Sequence, residues 1–277
     1  MTLGPVAKWL LRGGTALTLA FVYAPLLVIF LYAFNASRIQ SWPIDGLTLQ
    51  WFSRAIDNPG ARDALWMSLK AAAGATVVAL ALGTLASLAV ARHRFFGRET
   101  ISFLVILPIA LPGIVTGMAL NATFNTVGVQ LGLLTIIVGH ATFCIVVVYN
   151  NTVARLRRTA HSLEEASADL GATSWQTFRY VTFPQLRTAL LAGALLAFAL
   201  SFDEVIVTTF TAGADQTLPI WILANLSRPN QLPIVNVVAV FVILLSMIPV
   251  WLATRLSRDT GAVAPTAGGA QAAGARG

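Results

Sequence analysis

Charge is the scarcest property of this chain. Asp, Glu, Lys and Arg make up 10% of its 277 residues, against about 25% in soluble domains. Apolar types reach 57%, so the soluble globular class is excluded and a membrane protein is indicated. Cysteine is present once, as Cys144. An intramolecular disulfide is therefore impossible, and a buried core thiol is expected. The three histidines, His93, His140 and His161, are widely separated and form no His-Glu-x-x-His pattern. There is no G-x-x-x-x-G-K-[ST] phosphate loop and no G-x-S-x-G nucleophile elbow. Catalysis, ATP binding by that loop, a metal and a cofactor are accordingly not expected of this chain.

What the chain has instead is long apolar runs. Spanning a bilayer takes about 20 helical residues, and the runs predict an all-α polytopic protein with six spans. They lie near residues 14–36, 65–91, 100–124, 134–153, 189–212 and 233–254. The stretch from Thr100 to Ala154 holds no charge and is too long for one helix, so it is divided at Asn125-Thr126-Val127-Gly128 and Gly132. The first run exceeds a signal-peptide core of roughly 7–15 residues, and a retained helix is expected. Residues 1–258 form one membrane domain in this reading. Residues 259–277 are Gly- and Ala-rich without periodicity and are expected to be disordered.

Thirteen of the 18 basic residues fall on one side of these spans, among them Lys8, Arg12, Arg92, Arg155, Arg157, Arg158 and Arg255. The positive-inside tendency puts that side, with both termini and the 155–188 loop, in the cytoplasm. The same pattern accounts for the net charge of +7 without nucleic acid as a partner. Trp42, Trp51, Phe52 and Trp66 on the opposite side read as an interfacial aromatic belt or as contacts for a soluble protein. Trp221, Asn225, Arg228 and Asn230 are further candidates for such contacts.

The 155–188 loop carries the most specific pattern. It reads Glu165-Ala166-Ser167, three residues, Gly171, nine residues, then Val181-Thr182-Phe183-Pro184. Ser162 and Glu165 have capping-box spacing, as do Thr173 and Gln176. Leu163, Ala166 and Leu170 form one helical stripe, and Gly171 stands where a helix end needs a positive φ. Two short helices joined at a glycine elbow follow, the second ending at Pro184. The spacing resembles the EAA loop of ABC-importer permeases, E-A-A-x3-G-x9-I-x-L-P, with Ser167, Val181 and Phe183 as conservative departures. In that family the loop is where an ATPase subunit docks. An ordinary polar connection, with Glu165 merely capping, is the plainer alternative.

Two further features sit inside the spans. Pro108 and Pro112 interrupt the third, where a kink or break is expected; it either lines a pathway or serves packing. Asp203 and Glu204 interrupt the fifth, about 21 Å along a helix that starts at Ala189. Carboxylates at that depth face a cavity or a partner. They would compensate a cation in transit, or else cap a helix break or meet a neighbouring subunit.

Ser201-Phe202-Asp203-Glu204-Val205, Thr217-Leu218-Pro219, Pro233-Ile234-Val235-Asn236 and Leu31-Tyr32-Ala33-Phe34-Asn35-Ala36-Ser37 resemble the second permease of spermidine/putrescine ABC importers. The likeness runs from about Leu31 to Arg258. It implies a type I importer subunit in a bacterial inner membrane. Its partners would be a second permease, two ATPase subunits and a periplasmic or lipid-anchored binding protein. Permeases for opines, phosphonates and ferric iron share much of this layout. The rival class is a self-sufficient secondary transporter that uses Asp203 and Glu204 for ion coupling.

Overall fold

The computed structural model describes residues 4–258; the tail over 259–277, expected to be disordered, lies outside the described residues. The chain is helical almost throughout. α1 covers Pro5–Ala33, α2 Gln50–Ile56, α3 Pro59–Arg92, α4 Arg98–Ala110, α5 Gly113–Thr126 and α6 Leu133–Leu156. α7 covers Ser162–Asp169 and α8 Ser174–Thr177; a π turn over Phe178–Thr182 leads into α9, Phe183–Phe202. α10 covers Ile206–Thr211, α11 Leu218–Leu226 and α12 Leu232–Arg258.

α3 is the spine. Asn58 caps its start, its side-chain oxygen accepting from Ala61 N–H at 3.0 Å, and Pro59 takes the first turn, where no donor is lost. Its buried face is made of small residues, including Ala64, Ser68, Ala71, Ala75, Ala79, Gly83 and Ser87. Small side chains let helix backbones approach closely inside a membrane, where dispersion and not water exclusion drives association. At Gly83 the approach is tight enough that a Cβ would stand 2.9 Å from the Ile145 carbonyl oxygen. α6 and α9 pack along this face.

One end of the bundle closes on a cluster of Trp51, Phe202, Leu218, Trp221, Val235 and Val237. Trp51 is buried and its indole donates to Asn35 O at 2.8 Å. Trp42 and Trp66 are exposed, whereas Trp51 is packed inside and is not available to an aromatic belt or to a soluble partner. Trp221 and Asn225 are buried as well, while Arg228 and Asn230 are exposed. The reason is the Ser68 hydroxyl, which accepts from Leu218 N–H at 2.8 Å and draws α11 onto α3.

Four helical stretches, Val6–Ala33, Pro59–Arg92, Leu133–Leu156 and Ser174–Phe202, are long and apolar enough to cross a membrane. α4 and α5 together make a fifth candidate, but they are bent by 104°. The break falls at Leu111-Pro112, whereas Pro108 stays inside α4. α12 lies where a sixth span is expected. Outside the core, large apolar side chains such as Phe21, Leu82, Phe103 and Leu244 face outward, a surface that suits lipid or apolar partners and not water.

Candidate functional site

Two interruptions of helix carry the candidate residues. The first is the elbow between α7 and α8. α7 ends in a Schellman cap: Ala172 N–H reaches Ser167 O at 3.1 Å and Gly171 N–H reaches Ala168 O at 2.9 Å. Gly171 has φ +81° with open space around it. Only its backbone conformation, not crowding, demands glycine. Thr173 then closes a capping box, its hydroxyl accepting from Gln176 N–H at 3.3 Å while Gln176 Oε1 accepts from Thr173 N–H at 2.7 Å. Ser167 and Thr177 hydroxyls meet at 3.0 Å and join the two helices across the elbow.

Three details depart from the sequence reading. Ser162 does not cap α7. It is the first helical residue, and the preceding His161 already has helical φ and ψ, whereas a side-chain cap needs an extended backbone. Pro184 does not end the second short helix either. The π turn places Pro184 at the start of α9, where a missing N–H costs nothing. The helix therefore continues through α9 into the membrane bundle. Finally, Glu164, outside the EAA pattern, ties the elbow to the bundle: its carboxylate pairs with Arg92 at the end of α3 at 3.0 Å and accepts from Thr182 Oγ1 at 3.0 Å.

The stripe of Leu163, Ala166 and Leu170 is not covered by the described residues of this chain. Leu163 is 50% and Leu170 is 90% exposed, and Trp175 and Tyr180 next to them are also exposed. Glu165 is exposed beside His161, 3.6 Å away. Val181 is half-buried, and Phe183 and Pro184 face outward. A short apolar face flanked by aromatics, on a helix anchored at both ends, is a surface shaped for a protein partner.

The second interruption lies in the fifth predicted span. α9 stops at Phe202, and α10 resumes at Ile206. Asp203 is the C-cap of α9 and exposed. Glu204 is half-buried, and its carboxylate accepts from Val207 N–H at 2.9 Å, so it caps α10. Asp203 thus stands at a cap position through its backbone, whereas Glu204 caps through its carboxylate. The break at Pro112 lies close by: a Cβ at Gly113 would stand 3.6 Å from Ile206 Cγ2. Asn121 on α5 donates to Phe210 O at 2.6 Å, holding α5 against α10. Broken helices are tolerated at membrane depth where protein or a watery cavity supplies the missing bonds, and here two of them meet. Pro108, half-buried within α4, does not share in that junction.

The family model for the binding-protein-dependent transport system inner membrane component matches residues 79–261. The chain belongs to that family. It is 33% identical over 232 residues to the putrescine transport system permease protein PotI of Escherichia coli (strain K12), covering 80% of this chain and 82% of that one. It is 31% identical over 253 residues to the spermidine/putrescine transport system permease protein PotC of the same strain, covering 90% and 95%. A solved bacterial alginate ABC transporter in complex with its alginate-bound periplasmic protein has the same fold, with TM-score 0.69 at 14% identity over 92% of this chain and 94% of that one.

This family member is a permease subunit of an importer, a multi-pass membrane protein that leaves ATP hydrolysis to a partner. A self-sufficient secondary transporter is thereby set aside. Sequence reasoning overlooked two groups that the structure brings forward, the Arg92–Glu164–Thr182 contact and the buried His140. Arg92 and Glu164 are far apart in sequence, and no local pattern links them. His140 has no metal-ligand spacing to His93 or His161, so no local pattern singles it out.

Proposed function

We propose that this chain is one of two permease subunits of a type I ABC importer for polyamines, in a bacterial inner membrane. Residues 1–258 form its transmembrane domain, with six spans near 14–36, 65–91, 100–124, 134–153, 189–212 and 233–254. Both termini and the 155–188 coupling loop lie in the cytoplasm. Two ATPase subunits, a second permease and a periplasmic or lipid-anchored binding protein complete the machine. The distribution of basic residues supports this orientation.

The docking role rests on one observation above the others: α7 leaves Leu163, Ala166 and Leu170 uncovered while Gly171 and the Thr173 capping box hold its far end rigid. Glu165, Ala166, Ser167, Gly171, Val181, Phe183 and Pro184 form the coupling segment. ATP-driven closure of the ATPase pair would push α7. The push would pass through Glu164 to Arg92 on α3, and through the π turn to α9.

The substrate class is supported by the names of the relatives and by charge. Asp203 and Glu204 are adjacent in the interruption between α9 and α10, and α10 packs on α5, which begins at the Pro112 break; Pro112 and Pro108 are proposed with them as pathway residues. A polyamine is a small polycation, and carboxylates in a medium of lower dielectric than water stabilise a passing ammonium more strongly than they would in solution.

Reconstitution of the four-component complex in proteoliposomes tests the reading with labelled putrescine and spermidine. Asp203→Asn with Glu204→Gln is expected to lower uptake by about tenfold or more, the equivalent of about 1.4 kcal/mol in a barrier, with basal ATPase activity unchanged. Wild-type uptake in that double variant would remove the two carboxylates from the pathway. Uptake of an anionic solute in place of the polyamines would end the polyamine assignment.

A further inference from the structure

His140 is fully buried on α6, and both of its ring nitrogens are bonded. Nδ1 lies 2.7 Å from Ser201 Oγ, on the last turn of α9, and Nε2 lies 2.8 Å from Thr208 Oγ1, on α10. One imidazole thus grips both sides of the Asp203–Val205 interruption. The direction of each bond follows from counting protons. Thr208 Oγ1 is 2.7 Å from Glu204 O, and a carbonyl can only accept, so the threonine proton is committed there. Thr208 therefore accepts from Nε2–H. The neutral ring is left with Nδ1 as an acceptor, which receives the Ser201 hydroxyl proton. The chain runs in one direction: Ser201 to His140, His140 to Thr208, Thr208 to the Glu204 carbonyl. Both imidazole bonds are buried and the Thr208 link is part-buried, and a satisfied network of this kind rigidifies a site.

Two neighbouring contacts keep α10 seated on α6. Thr135 Oγ1 is 2.7 Å from Thr211 O, and a Cβ on Gly139 would meet Val207 Cγ1 at 3.0 Å. Neither reaches α9. Among the described residues of this network, only His140 touches both half-helices through hydrogen bonds.

We propose that His140 is a positioning residue that clamps α9 and α10 to α6, sets the angle of the break, and so fixes where the Asp203 and Glu204 carboxylates stand. The proposal rests on the reading of this break as part of the pathway. Its mechanical half is measurable without knowing the solute.

Hydrogen–deuterium exchange on the assembled complex in nanodiscs reads that half. His140→Leu is expected to raise exchange at residues 204–211 by about tenfold, since two buried bonds are lost, while α3 remains as in the wild type. Thr208→Val, nearly isosteric, guards against a failure of the first variant to assemble, and is expected to raise exchange over the same residues. His140→Gln, with a donor and an acceptor on one side chain, is expected to recover most of the protection. Unchanged exchange at 204–211 in Thr208→Val, or in an assembled His140→Leu, overturns the clamp.

In uptake assays the clamp predicts a fall in maximal rate of about tenfold without a change in the half-saturating concentration of loaded binding protein. A His140→Leu complex with wild-type maximal rate overturns the positioning role. Should Asp203→Asn with Glu204→Gln transport normally while His140→Leu loosens 204–211, the pathway reading has failed and the clamp stands.

Discussion

The elbow at Gly171 and the break at Asp203 are both places where a helix stops and another begins within a few residues, yet they are held in opposite ways. At the elbow every bond that shapes the turn is local: Gly171 to Ala168, Ala172 to Ser167, Thr173 to Gln176. The residues around it are exposed, and a side chain added at Gly171 would meet nothing. At the break, Glu204 supplies a local cap, but the rest of the geometry comes from α5 and α6, through Asn121, Thr135, Gly139 and His140. A turn built from its own sequence keeps its shape while a partner docks on it and moves it. A break built from neighbouring helices changes shape only when those neighbours move. In the proposed importer, where force would enter at the elbow and a path would open at the break, that is a useful division.

The substitution expected to break the contrast most severely is Gly171→Val. The left-handed backbone costs an L-residue about 1–2 kcal/mol, and β-branching raises that. α7 would tilt away from its docked position. Uptake is expected to collapse and binding-protein stimulation of ATPase to vanish, although the protein still reaches the membrane. A stimulated ATPase of wild-type size in that variant would remove the docking role from the elbow.

Next in size is Gly139→Val, which fails for the other reason. The backbone there is ordinary helix, but the added Cβ stands 3.0 Å from Val207 Cγ1 and 3.3 Å from Thr211 Cγ2. Overpacking of this kind costs about 1–3 kcal/mol. It should appear as a lower melting temperature of the purified complex and faster exchange in α10, with stimulated ATPase less affected than in Gly171→Val. Equal loss of stimulation in both variants would erase the distinction between the two regions.

Thr173→Ala removes the side-chain half of the capping box, a loss of about 1 kcal/mol. Faster exchange confined to residues 173–177, with partly reduced coupling, is the expected result. Ser167→Ala, which restores the family consensus, removes the 3.0 Å contact with Thr177. An exposed or half-exposed pair of hydroxyls contributes about 0.5–1.5 kcal/mol at most. Uptake is expected to stay within about twofold of the wild type; a larger drop would mean that this bond, and not Gly171, holds the elbow.

The elbow was legible in the sequence because its causes are short-range. Glycine at a helix end, a Thr-x-x-Gln box and an apolar stripe with period 3.6 are read off adjacent positions. The turn around Gly128 was legible for the same reason, and its φ is +71°. Composition set the membrane class, with 10% charge and 57% apolar residues, and apolar runs of about 20 residues or more, longer than a barrel strand needs, made that class helical. What escaped was whatever depends on which helix lies beside which. Ser162 lost its cap because the chain enters α7 already helical, and Pro184 opened a helix where it was expected to close one. Trp51 went inside because Asn35 offers it a carbonyl. Arg92 met Glu164, and His140 met Ser201 and Thr208, across separations that no spacing rule covers. The sequence by itself determined the class, the helical runs and the elbow, since hydrophobicity and backbone preference act along the chain. The tertiary structure alone decided the partners of the buried polar groups, because a hydrogen bond in an apolar interior is set by what packs within about 3 Å.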